Sequence, residues 1–197
     1  LKKMKKTVIL IMALAFISMS FTHTIKAVKS NLKVDVTNST IKWKGYKPTG
    51  SHEGTILLQT GNIELEDGNI VGGSFVVDMT SIKDADGSER LEGHLKSPDF
   101  FDVEIYGTSN FKISKVIYEG AKILVTGTMT IKGISKEITF PATVNSTVDS
   151  VTLSSETFQI NRADFNVKYK SKSFFNDLKD KFVNDEFDLQ VIIVAKK

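Results

Sequence analysis

From Leu32 onward the apolar positions recur every second residue, the pattern of strands with one buried face rather than of helices. Leu32, Val34 and Val36 alternate with polar neighbours, as do Ile41, Trp43 and Gly45, then Ile56 and Leu58, then Ile63 and Leu65. Asp67-Gly68 supplies a turn into a denser strand from Ile70 to Met79, whose Gly72-Gly73 suggests a bulge or sharp bend. Alternation resumes from Asn110 to Tyr118, turns at Glu119-Gly120, and continues with Ile123, Val125, Gly127, Met129 and Ile131 on one face. Lys132-Gly133 turns the chain into a strand with Ile138, Phe140, Ala142 and Val144 on one side. Val151 and Leu153 lead to Phe158 and Ile160, with Phe165, Val167 and Tyr169 next; Phe187 to Ala195 makes the last strand. The pattern predicts roughly eight long strands, several near ten residues or about 33 Å. Tight turns between them predict an antiparallel sheet, closed into a barrel or split into a sandwich.

One stretch breaks the period: Arg90 to Tyr106. Leu91 and Leu95 lie four apart, so a turn or two of helix sets both on one face. Ser97-Pro98 reads as a helix start, with Ser97 capping and Pro98 in the first helical position. A second short helix is predicted from Ser173 to Lys179. The helical interruption at 90–106 is expected to be pinned to the sheet by its leucines and by Phe100 or Phe101.

The predicted inner face carries Trp43, Phe75, Val77, Phe111, Met129, Phe140, Phe158, Phe187 and Leu189, interrupted by small Gly and Ala positions. An eight-stranded barrel is wide enough either to be filled by such side chains or to hold one ligand. Periodicity leaves both open.

Charge changes the picture mainly at the start of the chain. Residues 1–27 hold five lysines and no acid, whereas the rest carries 21 basic against 23 acidic residues, a net of −2. Lys2, Lys3, Lys5 and Lys6 precede an uncharged, mostly apolar run from Val8 to Phe21, then a more polar tail to Ala27. This order predicts a cleaved secretory signal over 1–27, a domain over 28–197, and a periplasmic or secreted location. The near-neutral remainder gives no argument for nucleic acid, which needs a clustered positive face. The absence of cysteine excludes disulfides, thiolate metal sites and cysteine nucleophiles.

Candidate chemistry is sparse. His52 and His94 each lack a second histidine at metal-ligand spacing, so no metal or cofactor is expected. Ser51-His52-Glu53 places triad residue types in succession, but neighbours in a strand point to opposite faces. Asp84, Asp86 and Gly87 resemble the start of a calcium loop without its later ligands, and read better as an Asx-rich turn. Arg162 is expected to pair with Asp164 or Asp180. No constellation supports catalysis.

Four segments, in order, resemble the YceI-like family of exported, lipocalin-like polyisoprenoid-binding proteins. They are Gly72-Gly73-Ser74-Phe75-Val76-Val77-Asp78-Met79-Thr80-Ser81-Ile82; Leu91-Glu92-Gly93-His94-Leu95-Lys96-Ser97-Pro98-Asp99-Phe100-Phe101-Asp102; Gly127-Thr128-Met129-Thr130-Ile131-Lys132-Gly133-Ile134-Ser135-Lys136; and Phe158-Gln159-Ile160-Asn161-Arg162-Ala163-Asp164-Phe165. The chain departs from the family at Asn38-Ser39, where many members have His-Ser, and at Tyr106-Gly107, often Tyr-Pro. The resemblance implies an all-β, extended eight-stranded antiparallel barrel with one or two short helices, holding a long isoprenoid or similar lipid without catalysis. It implies an apolar tunnel, which the inner-face residues Trp43, Phe75, Val77, Phe111, Met129, Phe140, Phe158, Phe187 and Leu189 are expected to line, with Leu95, Phe100 and Phe101 of the helical interruption at its mouth. A homodimer is compatible with the resemblance, and membrane contact is expected only as the lipid source. The competing expectations are a stress-related barrel with a filled core, and an enzyme acting on an isoprenoid lipid through His94.

Overall fold

Ten strands and one helix follow in chain order in the computed structural model, which describes residues 27–197: β1 (Lys29–Val34), β2 (Thr40–Lys47), β3 (Gly50–Glu66), β4 (Asn69–Asp84), α1 (Glu89–Lys96), β5 (Thr108–Glu119), β6 (Lys122–Ile131), β7 (Ile134–Ser146), β8 (Ser150–Ser155), β9 (Phe158–Asn161) and β10 (Glu186–Lys196). The export signal expected over 1–27 falls, save for Ala27, outside the described residues. Every pairing is antiparallel, and the sheet closes because β10 pairs with β2 on one side and with β8 and β9 on the other. The eight expected strands correspond to eight positions around the barrel. Two of those positions hold interrupted strands: β1 and β2 both pair with β3 and β10, and β8 and β9 both pair with β10.

Both interruptions flank β10 and would leave amides of that strand without backbone partners. Two buried serines take them: Ser39 Oγ accepts from Val194 N at 3.0 Å, and Ser155 Oγ accepts from Val191 N at 2.9 Å. A buried N–H without a partner is costly, which explains hydroxyls at these two gaps. Asp35 shapes the first gap, accepting from the amides of Thr37 and Asn38 and pairing with Lys196 at 2.6 Å. The Lys196 hydrogen bond is the main reason that the Asp35 pKa is lowered to about 2. A depressed carboxyl pKa stabilises the fold fully above its ordinary value of 3.8, and that contribution is lost as pH falls through about 2. The stability difference between the native chain and Asp35→Asn should therefore close between about pH 4 and pH 2 in denaturant titrations. A difference that stays constant over that window would show that Asp35 is not a stabilising anion.

The hairpins at Asp67-Gly68 and Lys132-Gly133 have positive φ at both central residues (51° and 83°, 49° and 72°), as twist-matched two-residue turns require. The bulge expected at Gly72-Gly73 occurs beside it, where the β3–β4 register shifts between Glu64 and Leu65.

Three local expectations are corrected. Ser97-Pro98 ends a helix instead of starting one: α1 is capped by Ser88, whose Oγ accepts from Leu91 N, and closes at Ser97. Proline drives the residue before it out of helical space, and Ser97 is extended at φ −71°, ψ 168°. No helix forms from Ser173 to Lys179, which is irregular, with turns at its two ends. There Ser173 N and Oγ both donate to Asp185 Oδ2, local bonds that compete with helical ones. Phe165, Val167 and Tyr169 do not make a strand either. Arg162–Phe165 is a 3-10 turn capped by Asn161 and ended by left-handed Asn166.

The barrel is packed at one end only. Near the β3–β4 turn, Ile63, Ile70, Val151 and Ala195 are fully buried against Leu65, Ile123 and Ala142. The half toward α1 is hollow.

Candidate functional site: an apolar tunnel

The hollow half encloses about 560 Å³, within the ~300–1,000 Å³ usual for small-molecule pockets. All twelve side chains expected to face inward line it: Trp43, Phe75, Val77, Leu95, Phe100, Phe101, Phe111, Met129, Phe140, Phe158, Phe187 and Leu189. The filled-core expectation does not match this interior.

Midway along the wall runs a belt of phenylalanines from four strands. Phe75 stacks on Phe111 at 6.4 Å between ring centroids, Phe111 tilts against Phe140 at 5.6 Å, and Phe140 stacks on Phe158 at 4.3 Å. These rings lie along the wall because glycines stand beneath two of them. A Cβ at Gly61 would come within 2.9 Å of the Phe75 ring, and one at Gly127 within 2.5 Å of the Phe111 ring. Without those glycines the rings would have to tilt into the lumen.

At the mouth, α1 and the 162–185 segment form an aromatic collar. The His94 ring meets Tyr169 edge-on at 4.4 Å and Phe100 edge-on at 5.1 Å, and Phe100 lies 5.3 Å from Tyr169. Leu95 and Phe100 are buried, and Lys132 Nζ donates to Phe100 O at 2.8 Å, tying the collar to the β6–β7 turn. His94 is held as an aromatic wall residue; its Nε2 is 3.5 Å from exposed Asp99. Among the described residues, its ring neighbours are Phe100 and Tyr169, which offer it no nucleophile–base pair.

Arg162 was assigned the wrong partner by sequence. It pairs with Asp185 at 3.2 Å rather than with Asp164 or Asp180. Its guanidinium also donates to the carbonyls of Asn184, Val167 and Val183 and lies over the Phe100 ring at 5.7 Å. Burial lowers the Arg162 pKa from its ordinary value, opposed by the Asp185 and Glu186 charges. For Asp185, burial works upward, but hydrogen bonds from Ser171 and Ser173 and the Arg162 charge overcome it, leaving that pKa lowered. One buried cation thus fastens both ends of the loop that borders the mouth.

Sequence reasoning missed several lining residues. Ile41, Ile56 and Leu58 were visible as strand residues but not singled out, while Tyr46, Phe182 and Val183 join the mouth through loop placement. It also missed that His52 comes beside Asp84 and Asp86. That meeting follows from the β3–β4 register, which pairs Gly54 with Asp84.

Comparison with known proteins agrees with this architecture. The YceI-like domain model matches residues 32–195. A UPF0312 protein of Vibrio parahaemolyticus is 37% identical over 86 residues, 42% of this chain and 44% of that protein. A UPF0312 protein of Vibrio campbellii is 36% identical with the same coverage. The alignment thus spans less than half the length of these curated relatives. Among solved structures, Burkholderia cenocepacia BcnA is similar with a TM-score of 0.69 and 24% identity, over 82% of this chain and 99% of that one. A polyisoprenoid binding domain from Saccharophagus degradans, implicated in plant cell wall breakdown, has a TM-score of 0.66 and 15% identity, over 87% and 99%. These likenesses establish a shared fold.

Proposed function

We propose that this chain, which belongs to the YceI-like domain family, binds and carries a long isoprenoid or similar apolar lipid in its tunnel, outside the cytoplasm and without catalysis. The observation that carries this reading is the hollow half-barrel with its phenylalanine belt and nearly uninterrupted apolar wall. The Saccharophagus degradans domain of the same fold, named for polyisoprenoid binding, supports it. So does the basic, then apolar, opening of the sequence, which suits export.

Each methylene taken from water contributes about 0.8 kcal/mol. A long chain therefore needs no polar clamp for affinity, and tunnel length and width set selectivity. The loop beside the mouth suits lipid collection from an anionic bilayer: residues 168–184 hold five lysines against two aspartates, and Phe174 and Phe175 stand exposed. Among the described residues no helix is long and apolar enough to cross a membrane.

Mass spectrometry of an organic extract of the purified protein should show a long apolar lipid at close to one per chain. Phe140→Trp or Phe187→Trp should shift the extract toward shorter chains. Protein that extracts empty, and stays empty when refolded with isoprenoid, would sink this reading.

A further inference from the structure

We propose that His52, Asp84 and Asp86 form a binding site for a divalent transition-metal ion of the zinc type at the edge of the tunnel mouth. The site joins the start of β3 to the turn between β4 and α1. Ala85 N donates to Glu53 O at 2.8 Å and Gly87 N to Asp84 O at 3.1 Å, so backbone bonds already fix the two segments. Ser88 N donates to Asp84 Oδ2 at 3.1 Å and thereby aims Oδ1 at His52.

The observation that calls for a ligand is a pair of orphaned atoms. Asp84 Oδ1 and His52 Nδ1 are both buried, neither has a hydrogen-bond partner, and they face each other at 3.7 Å. That is too long for a hydrogen bond, and an unmet buried donor or acceptor is costly. It is a suitable separation for two ligands of one ion. Zinc sits about 2.0–2.2 Å from imidazole nitrogen and carboxylate oxygen, which at the tetrahedral angle sets two such ligands roughly 3.3–3.6 Å apart, so the pair has to close by about 0.1 Å or more.

Asp86 supplies a third donor. Ligand atoms of the three residues lie within 4.8 Å of one another, and Asp86 is exposed on the turn, free to close the remaining distance. Two carboxylates face a +2 ion. Neither Asp84 nor Asp86 forms an ion pair with lysine or arginine among the described residues, while neighbouring Lys83 and Lys44 are engaged by Glu92 and Glu53. The imidazole selects against calcium and magnesium, which take oxygen ligands. Three protein ligands leave a fourth position for water.

Lys47 Nζ stands 3.4 Å from His52 Nε2. Binding at Nδ1 requires the proton on Nε2, so Lys47 must swing away. The alternative occupant of the gap is the direct His52–Asp84 pair with nothing between them.

The test is calorimetric titration of the chelator-stripped chain with zinc chloride. One site per chain is expected, weakened at least tenfold in His52→Ala and in Asp84→Asn and less in Asp86→Asn. His94→Gln, which removes the other described histidine, should leave it unchanged. Equal binding in all variants, or no saturable binding, overturns the proposal. Should a variant fail to fold, nitrogen NMR of the native chain still decides: zinc must shift His52 Nδ1 and spare His94. A shift at His94 instead, or at neither ring, overturns it as well. Tunnel occupancy is not read by either measurement.

Discussion

Replacing Arg162 by alanine is expected to lower the free energy of unfolding by about 3–5 kcal/mol, the usual cost of breaking a buried pair from one side. The Arg162 side chain is only 4% exposed. Its removal takes the counter-charge from Asp185, whose Oδ2 keeps its bonds from Ser173, and deprives three carbonyls, those of Val167, Val183 and Asn184, of their guanidinium donor. Those carbonyls sit at the two ends of the mouth loop. Hydrogen exchange should therefore rise first over residues 166–185, before the barrel strands loosen. Arg162→Lys should fall between, because one ammonium cannot reach the same spread of acceptors. Equal stability of Arg162→Ala and the native chain would show that the loop is held by its own turns.

The second large effect is expected from a single methyl group. Gly127→Ala puts a Cβ 2.5 Å from both the Phe111 ring and Lys112 O. Overpacking of this kind costs about 1–3 kcal/mol. The ring lines the tunnel, and its displacement toward the lumen should lower the lipid recovered per chain together with stability. Phe111→Leu in the same chain should restore much of both, since leucine needs less room over residue 127. If Gly127→Ala keeps a full lipid load, the belt does not limit the tunnel. If the double variant is no better than the single one, the clash is with the backbone rather than with the ring.

The antiparallel strands were legible because their cause is local. Period-two alternation and the turn pairs Asp67-Gly68 and Lys132-Gly133 act within a few residues, and they specify strands and reversals directly. The inward set was legible for the same reason: a strand's period fixes which side chains share a face. The errors fell where a local signal had two meanings. Ser97-Pro98 serves a helix start or a helix end equally well, and the choice was made by Ser88 upstream. Ser173 to Lys179 has helical composition, but its serine hydrogen-bonds to Asp185, twelve residues away.

By itself, then, the pattern of the sequence determined antiparallel strands, the residues on their apolar face, and a helical break bordering one end, while the resemblance implied the barrel over the sandwich. The tertiary structure alone decided that the barrel is hollow toward α1 and solid toward the β3–β4 turn. It also decided that Arg162 finds Asp185, and that His52 meets Asp84 across a gap neither fills. Alternation fixes the side of the sheet on which a side chain lies, a property of neighbours in sequence. Whether the opposite walls meet depends on strand register and on glycines beneath rings, which join residues far apart in the chain.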